Sequence, residues 1–140
     1  MGNTSSLHLI NRWVVSIFTV LLVAQAALGG NGLFKSGSME WLITAHEAIG
    51  NLSFLLALGV LVLSYLLWSR KVIGGSTMLA SALVFLLTLA QISLGYAMNE
   101  NLVDIAGWHI AGGVALTAAT AVVATRMWTS SPHNGANSTP

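Results

Sequence analysis

A short pattern occurs twice in this chain, and each copy places a histidine inside a long apolar segment. The first copy has Gln25 and Gly29 (QAALG) followed by His46, Ala48 and Gly50 (HxAxG); the second has Gln91 and Gly95 (QISLG) followed by His109, Ala111 and Gly113 (HxAxG). A tandem copy of a two-segment unit constrains the fold to two hairpins related by a pseudo-twofold axis, because each hairpin leaves a face that the other can cover.

The segments read as membrane spans. Of 140 residues, 55% are hydrophobic and 6% charged, and the mean hydropathy is +0.78, a balance that the surface of a soluble domain does not carry. Four apolar stretches, 9–28, 41–68, 78–98 and 103–128, are each long enough to cross a hydrocarbon core of about 30 Å. The expected fold is an all-α, integral-membrane four-helix bundle, up-down-up-down. It forms one domain over 1–128 from two tandem helix hairpins (about 9–68 and 78–128), with a polar tail at 129–140 expected to be disordered. Trp13, Trp41, Trp68, Trp108 and Trp128 lie toward segment ends, the level an indole prefers.

Charge sets the expected orientation. Arg12, Arg70, Lys71 and Arg126 fall on one side, and Lys35, Glu40, Glu47, Glu100 and Asp104 at or near the other. The positive-inside rule then places both termini in the cytoplasm and the chain in the cell membrane. The first span also resembles a signal peptide, with Ala24, Gln25 and Ala26 as a cleavage stretch, but cutting there would destroy the first copy of the repeat. A net charge of +1 excludes a basic nucleic-acid face. The absence of cysteine excludes disulfides, zinc thiolates, iron–sulfur clusters and covalent c-type haem attachment. The glycine-rich loop 30–38, with Lys35 and Ser36, comes near a phosphate loop, but Phe34 takes the second glycine position and no strand precedes it, so it reads as a re-entry loop.

The polar residues inside the spans carry the chemistry. His46 comes six residues after Glu40 and His109 five after Asp104; both segments enter from the same side, so the imidazoles share a depth about 8 Å below those acids. Gln25 and Gln91 lie near the same level. Gly50 and Gly113 each follow a histidine by four residues, on the same helical face, leaving a slot beside the ring. That face continues through Ser53 and Ala57 on the second helix and Leu116 and Thr120 on the fourth. Two facing imidazoles are what a haem iron takes on its two axial sides. His46 and His109 are therefore candidate metal ligands for one haem b per chain, lying flat between the second and fourth helices with its propionates outward. Gly50 and Gly113 form the slot, and Gln25 and Gln91 are candidate contacts to a propionate or a quinone. The plainer alternatives are close helix packing at the glycines and interhelical hydrogen bonds from the histidines to Gln25 or Gln91; ionisable groups inside a membrane are nonetheless costly and tend to be functional.

Glu47 points about 100° away from His46 and is either an interfacial residue or a proton acceptor for a quinol. His8 reads as an interfacial polar residue, and His133 needs no role. Two histidines without a carboxylate cluster do not make a dinuclear iron or zinc site, no serine, histidine and acid arrangement is visible, and no catalytic residue is assigned.

At these residues the chain resembles one four-helix half of the heme A synthase family. In that family each half carries a Gln-and-Gly pattern ending its odd-numbered helices and a histidine near the outer end of its even-numbered ones, and the histidine pair of a half binds one haem. The resemblance implies His46 and His109 as axial ligands and Gln25, Gly29, Gln91 and Gly95 as pattern residues. The chain is also similar to small four-span proteins with the same QxxLG and HxAxG arrangement. The likeness spans about 25–115. The chain has half the family's length, lacks outer-loop cysteines, and places Glu40 six residues before His46, further than the family's glutamate. The resemblance thus implies the haem-holding module.

The expected function is a bis-histidine haem b membrane protein that transfers electrons, as a small cytochrome or as a subunit of a larger redox complex or homo-oligomer. Two alternatives stand beside it: a cofactor-free structural or pigment- or lipid-binding subunit, and a haem-modifying or quinol-reacting enzyme.

Overall fold

The computed structural model describes residues 4–34, 40–98 and 103–130. They form four helices, α1 (Thr4–Phe34), α2 (Glu40–Ser69), α3 (Gly75–Met98) and α4 (Val103–Thr129), and no strand among the described residues. Each helix packs against its two neighbours around a square, α1 on α2, α2 on α3, α3 on α4 and α4 on α1. The diagonal pairs, α1 with α3 and α2 with α4, do not pack. All four are long and apolar enough to span a membrane, over Thr4–Gly30, Trp41–Ser69, Gly75–Met98 and Ile105–Thr129, and the protein is a multi-pass membrane protein. The proximal end holds the start of α1, the end of α4 and the α2–α3 turn; the other end is called distal. α1 continues through Phe34, so the first part of the stretch 30–38 expected to form a re-entry loop is helical; the side chains of 31–40, Glu100 and His133 lie outside those described.

The helices overrun the apolar stretches. α1 starts at Thr4 rather than at residue 9, and α3 at Gly75 rather than 78, because backbone hydrogen bonding does not stop where hydrophobicity stops. The α2–α3 turn is a Schellman close: Lys71 N–H donates to the Trp68 carbonyl at 2.8 Å and Val72 N–H to the Leu67 carbonyl at 2.9 Å. Lys71 takes φ 57°, the left-handed conformation usually given to glycine.

One seven-residue rhythm defines the interior. On α2 the inward row is His46, Gly50, Ser53, Ala57, Val60, Ser64 and Leu67; on α4 it is His109, Gly113, Leu116, Thr120, Val123 and Met127. On α1 it runs His8, Asn11, Val15, Phe18, Leu22, Gln25 and Gly29, and on α3 Thr77, Ser81, Val84, Thr88, Gln91 and Gly95. Steps of alternately three and four residues give the seam of a left-handed bundle. The pattern residues of both repeats are the distal continuation of the rows that make the core. Phe18, Val60, Leu67, Val84, Val123 and Met127 are fully buried, as are the polar Asn11, Ser64, Ser81 and Thr120. The lipid side is no less apolar, with Leu79, Val20 and Leu55 exposed, so the interior is marked by small and polar residues rather than by hydrophobicity.

At the proximal end all four helices are tied by polar contacts. Asn11 Nδ2 donates to Ser64 Oγ at 3.1 Å and to Met127 Sδ at 3.5 Å. Ser81 Oγ lies 2.9 Å from Ser64 Oγ and 3.0 Å from the Thr77 carbonyl. Arg12 closes the ring: Nε donates to the Met127 carbonyl at 2.7 Å and Nη2 to the Ser130 carbonyl at 2.8 Å, capping the orphan carbonyls that end α4. Its guanidinium lies 5.3 Å from the Trp128 ring centroid, and Trp128 meets Trp13 edge-on at 5.6 Å. His8 differs from its reading as an interfacial side chain. It is buried, with Nε2 3.2 Å from Ser130 Oγ, because the end of α4 folds over it.

Candidate functional site

The distal half of the bundle brings both repeats together. α2 and α4 stand at opposite corners, yet the His46 and His109 rings meet across the middle, with centroids 6.1 Å apart and planes inclined by 74°. Both histidines are half-buried.

Each histidine is seated by the glycine that ends the QxxLG pattern of its own repeat. A Cβ built on Gly29 would lie 2.9 Å from His46 Cε1, and one on Gly95 would lie 3.4 Å from His109 Cε1. The absent side chain is what lets the imidazole approach the α1 or α3 backbone. His46 Nδ1 is 3.1 Å from the Gln25 carbonyl; a carbonyl only accepts, so Nδ1 carries the proton and Nε2 is the nitrogen left with a free lone pair. His109 Nδ1, in the corresponding place of the second repeat, is buried and makes no hydrogen bond of ordinary geometry.

The glutamines complete a reciprocal interlock. Gln25 Nε2 lies over Gly50, 3.1 Å from where a Cβ would be. In the second repeat the Gln91 amide lies so close over Gly112 that any Cβ there would collide with it, while Gly113 is second nearest, with Gln91 Oε1 3.6 Å from its Cβ position. Thus the histidine of an even helix sits on the glycine of the odd helix, and the glutamine of the odd helix sits on a glycine of the even one. The sequence paired each glycine with the histidine on its own helix; the partner across the interface, and the role of Gly112, emerge only when the helices are docked.

Three buried polar atoms in this half have no hydrogen-bond partner: Gln25 Oε1, His109 Nδ1 and Ser53 Oγ. Ser53 lies on the His46 row, two steps deeper. Buried polar atoms without partners are uncommon in finished interiors. Among the described residues no three His, Asp or Glu side chains are grouped to hold a metal ion; the imidazole pair offers two nitrogen-bearing rings and no third such group. Glu47 is exposed, turned away from the ring pair as the helical angle requires. The side chains of Glu40 and Asp104 lie outside the described set.

No protein-family model, curated protein or solved structure matches the chain.

Proposed function

We propose that this protein binds one haem b between His46 and His109 and passes electrons within the membrane. The observation that carries the reading is the imidazole pair. With metal–imidazole bonds of about 2 Å, a metal held between two rings puts their centroids roughly 6 Å apart, and these centroids are 6.1 Å apart. The second support is the Nδ1–H of His46 held by the Gln25 carbonyl, the kind of outer contact that fixes the tautomer of a metal-binding histidine and leaves Nε2 as the ligating atom. The third is that His109 Nδ1 itself, and Gln25 Oε1 on the residue whose carbonyl meets His46, are buried without a hydrogen-bond partner.

His46 and His109 would hold the haem, which when bound would supply one-electron redox chemistry. The chain's own residues seat the rings on Gly29 and Gly95 and hold one by its tautomer. They also exclude water on the proximal side with the packed layer of Phe18, Val84 and Leu116. Space at Gly50 and Gly112 for a macrocycle edge is taken by the amide ends of Gln25 and Gln91, which are flexible side-chain tips rather than backbone. As a subunit or a small cytochrome, the protein would lie in the cell membrane with both termini cytoplasmic.

A second reading is a cofactor-free polar seam. It is favoured by the same distance, since 6.1 Å also falls in the range of about 4.5–7 Å for edge-to-face ring contact, and by the glycine clefts already filled. The two readings separate in one experiment. Purified from haem-supplied cells, the protein should carry about one haem per chain, and His46→Ala and His109→Ala should each abolish it. Equal pigment in wild type and both variants would refute the ligand assignment. For orientation, a cysteine replacing Ser36 should react with an impermeant reagent from outside and one replacing Ser69 should not; the reverse pattern would invert the topology.

A further inference from the structure

One lipid-facing edge of the bundle is polar where its counterpart is apolar. On the α2–α3 edge, Glu47 and Asn51 follow His46 by one and five residues, and Tyr96 follows Gly95 by one. All three are exposed, and Tyr96 Oη donates to Asn51 Oδ1 at 3.4 Å across the two helices. On the equivalent α4–α1 edge the same steps from His109 and Gly29 give Ile110, Val114 and Gly30, with Ile110 and Val114 exposed. A role in holding the hairpins together would recur in both repeats. This set does not recur. Asn51 lies ten residues along the span from Trp41, roughly 15 Å at 1.5 Å per residue, where lipid favours the side chains of the other edge.

The donor and acceptor pattern has a specific complement. With Oδ1 engaged by Tyr96, both Asn51 Nδ2 hydrogens remain uncommitted, the Tyr96 ring presents a face, and the Glu47 carboxylate one turn nearer the distal end has no hydrogen bond or ion pair among the described residues. We infer that this edge binds the headgroup of a lipid-soluble quinone: a ring carbonyl accepts from Asn51 Nδ2, the ring lies against Tyr96, and a hydroxyl of the reduced form donates to Glu47. A helix of another subunit fits less well, because covering the edge with apolar surface would bury an unpaired carboxylate. A second copy across a twofold axis would bring two such carboxylates together. The site uses no residue of the imidazole pair, so it stands or falls independently of haem.

The test is photolabelling of the full chain in lipid nanodiscs with a decyl-chain azidobenzoquinone, mapped by mass spectrometry. Unlabelled decyl-benzoquinone and decyl-naphthoquinone compete in separate arms to distinguish the two ring classes. The expected result is saturable label confined to the peptides carrying 47–51 and 93–96, displaced by at least one competitor. Glu47→Ile and Asn51→Val, which copy the opposite edge, should each weaken saturable labelling on the order of tenfold. Tyr96→Phe, which keeps the ring and the fold, should weaken it a few-fold. Label that does not saturate and spreads over all lipid-facing positions would overturn the inference. So would label unchanged in all three variants, or a cross-linked dimer of the wild type that Asn51→Val abolishes, the mark of a helix interface.

Discussion

The proximal and distal halves of this bundle are built on the same four rows of residues, yet they are finished differently. In the proximal half the rows close on themselves: Asn11, Ser64, Ser81 and Met127 join all four helices, and Arg12 caps the end of α4. In the distal half the rows end in glycine, glutamine and histidine, all half-buried, with Gln25 Oε1, His109 Nδ1 and Ser53 Oγ unpartnered. In the proximal half the short side chains of Asn11, Ser64 and Ser81 reach one another directly and Arg12 spans to the end of α4. In the distal half the planar groups of His46, His109, Gln25 and Gln91 are seated over glycines. The proximal half commits its donors to helix association and leaves Asn11 Oδ1 unpartnered, whereas the distal half leaves three such atoms, Gln25 Oε1, Ser53 Oγ and His109 Nδ1; in a membrane, helix contacts and ligand contacts draw on the same residue types.

Substitutions in the two halves should therefore separate cleanly in what they change. The largest effect is expected at Gly29→Leu. A Cβ alone already meets His46 Cε1 at 2.9 Å, so the added side chain must push the ring off α1, and pigment content should drop at least tenfold while the protein still inserts and elutes normally. Gly30→Leu, one position on and with nothing near its Cβ, is the control and should change nothing. In the proximal half, Asn11→Ala removes the donor to Ser64 and Met127; it should lower stability by about 1–2 kcal/mol, read by thermal unfolding in detergent, with the absorption spectrum unmoved. The smallest effect belongs to Arg12→Lys. It keeps the charge but cannot reach both the Met127 and Ser130 carbonyls with a fixed fork, and a loss of about 0.5–1 kcal/mol is expected. A spectral change in Asn11→Ala, or a plain stability loss with full pigment in Gly29→Leu, would erase the distinction.

What the sequence made legible follows from the same physics. The four spans and their antiparallel order come from length and hydropathy, and the repeat located the polar layer by matching His46 with His109 and Gln25 with Gln91. The inward faces were harder to read, since both sides of these helices are apolar and amphipathicity gives little contrast. Only near the histidines, where Gly50, Ser53 and Ala57 are small, did the row declare itself, and those residues do continue into the buried face. Asn11, Ser64 and Ser81 stand on the same three-and-four spacing, which is a usable signal once the row is known but not before. His8 was read from its position near a span end, and its burial depends on Ser130, which no local pattern ties to it. The pairing of Gly29 with His46 and of Gly112 with Gln91 is a fact of docking between helices and has no signature within either one.

The most direct test of the account is the absorption spectrum of the gently purified protein, oxidised, reduced, and reduced under carbon monoxide. If His46 and His109 together hold a haem as proposed, the protein should show about one b-type haem per chain, low-spin in both oxidation states, with the reduced spectrum unchanged by carbon monoxide. A protein prepared from haem-supplied cells that shows no Soret band, or whose reduced spectrum shifts fully with carbon monoxide, would contradict it.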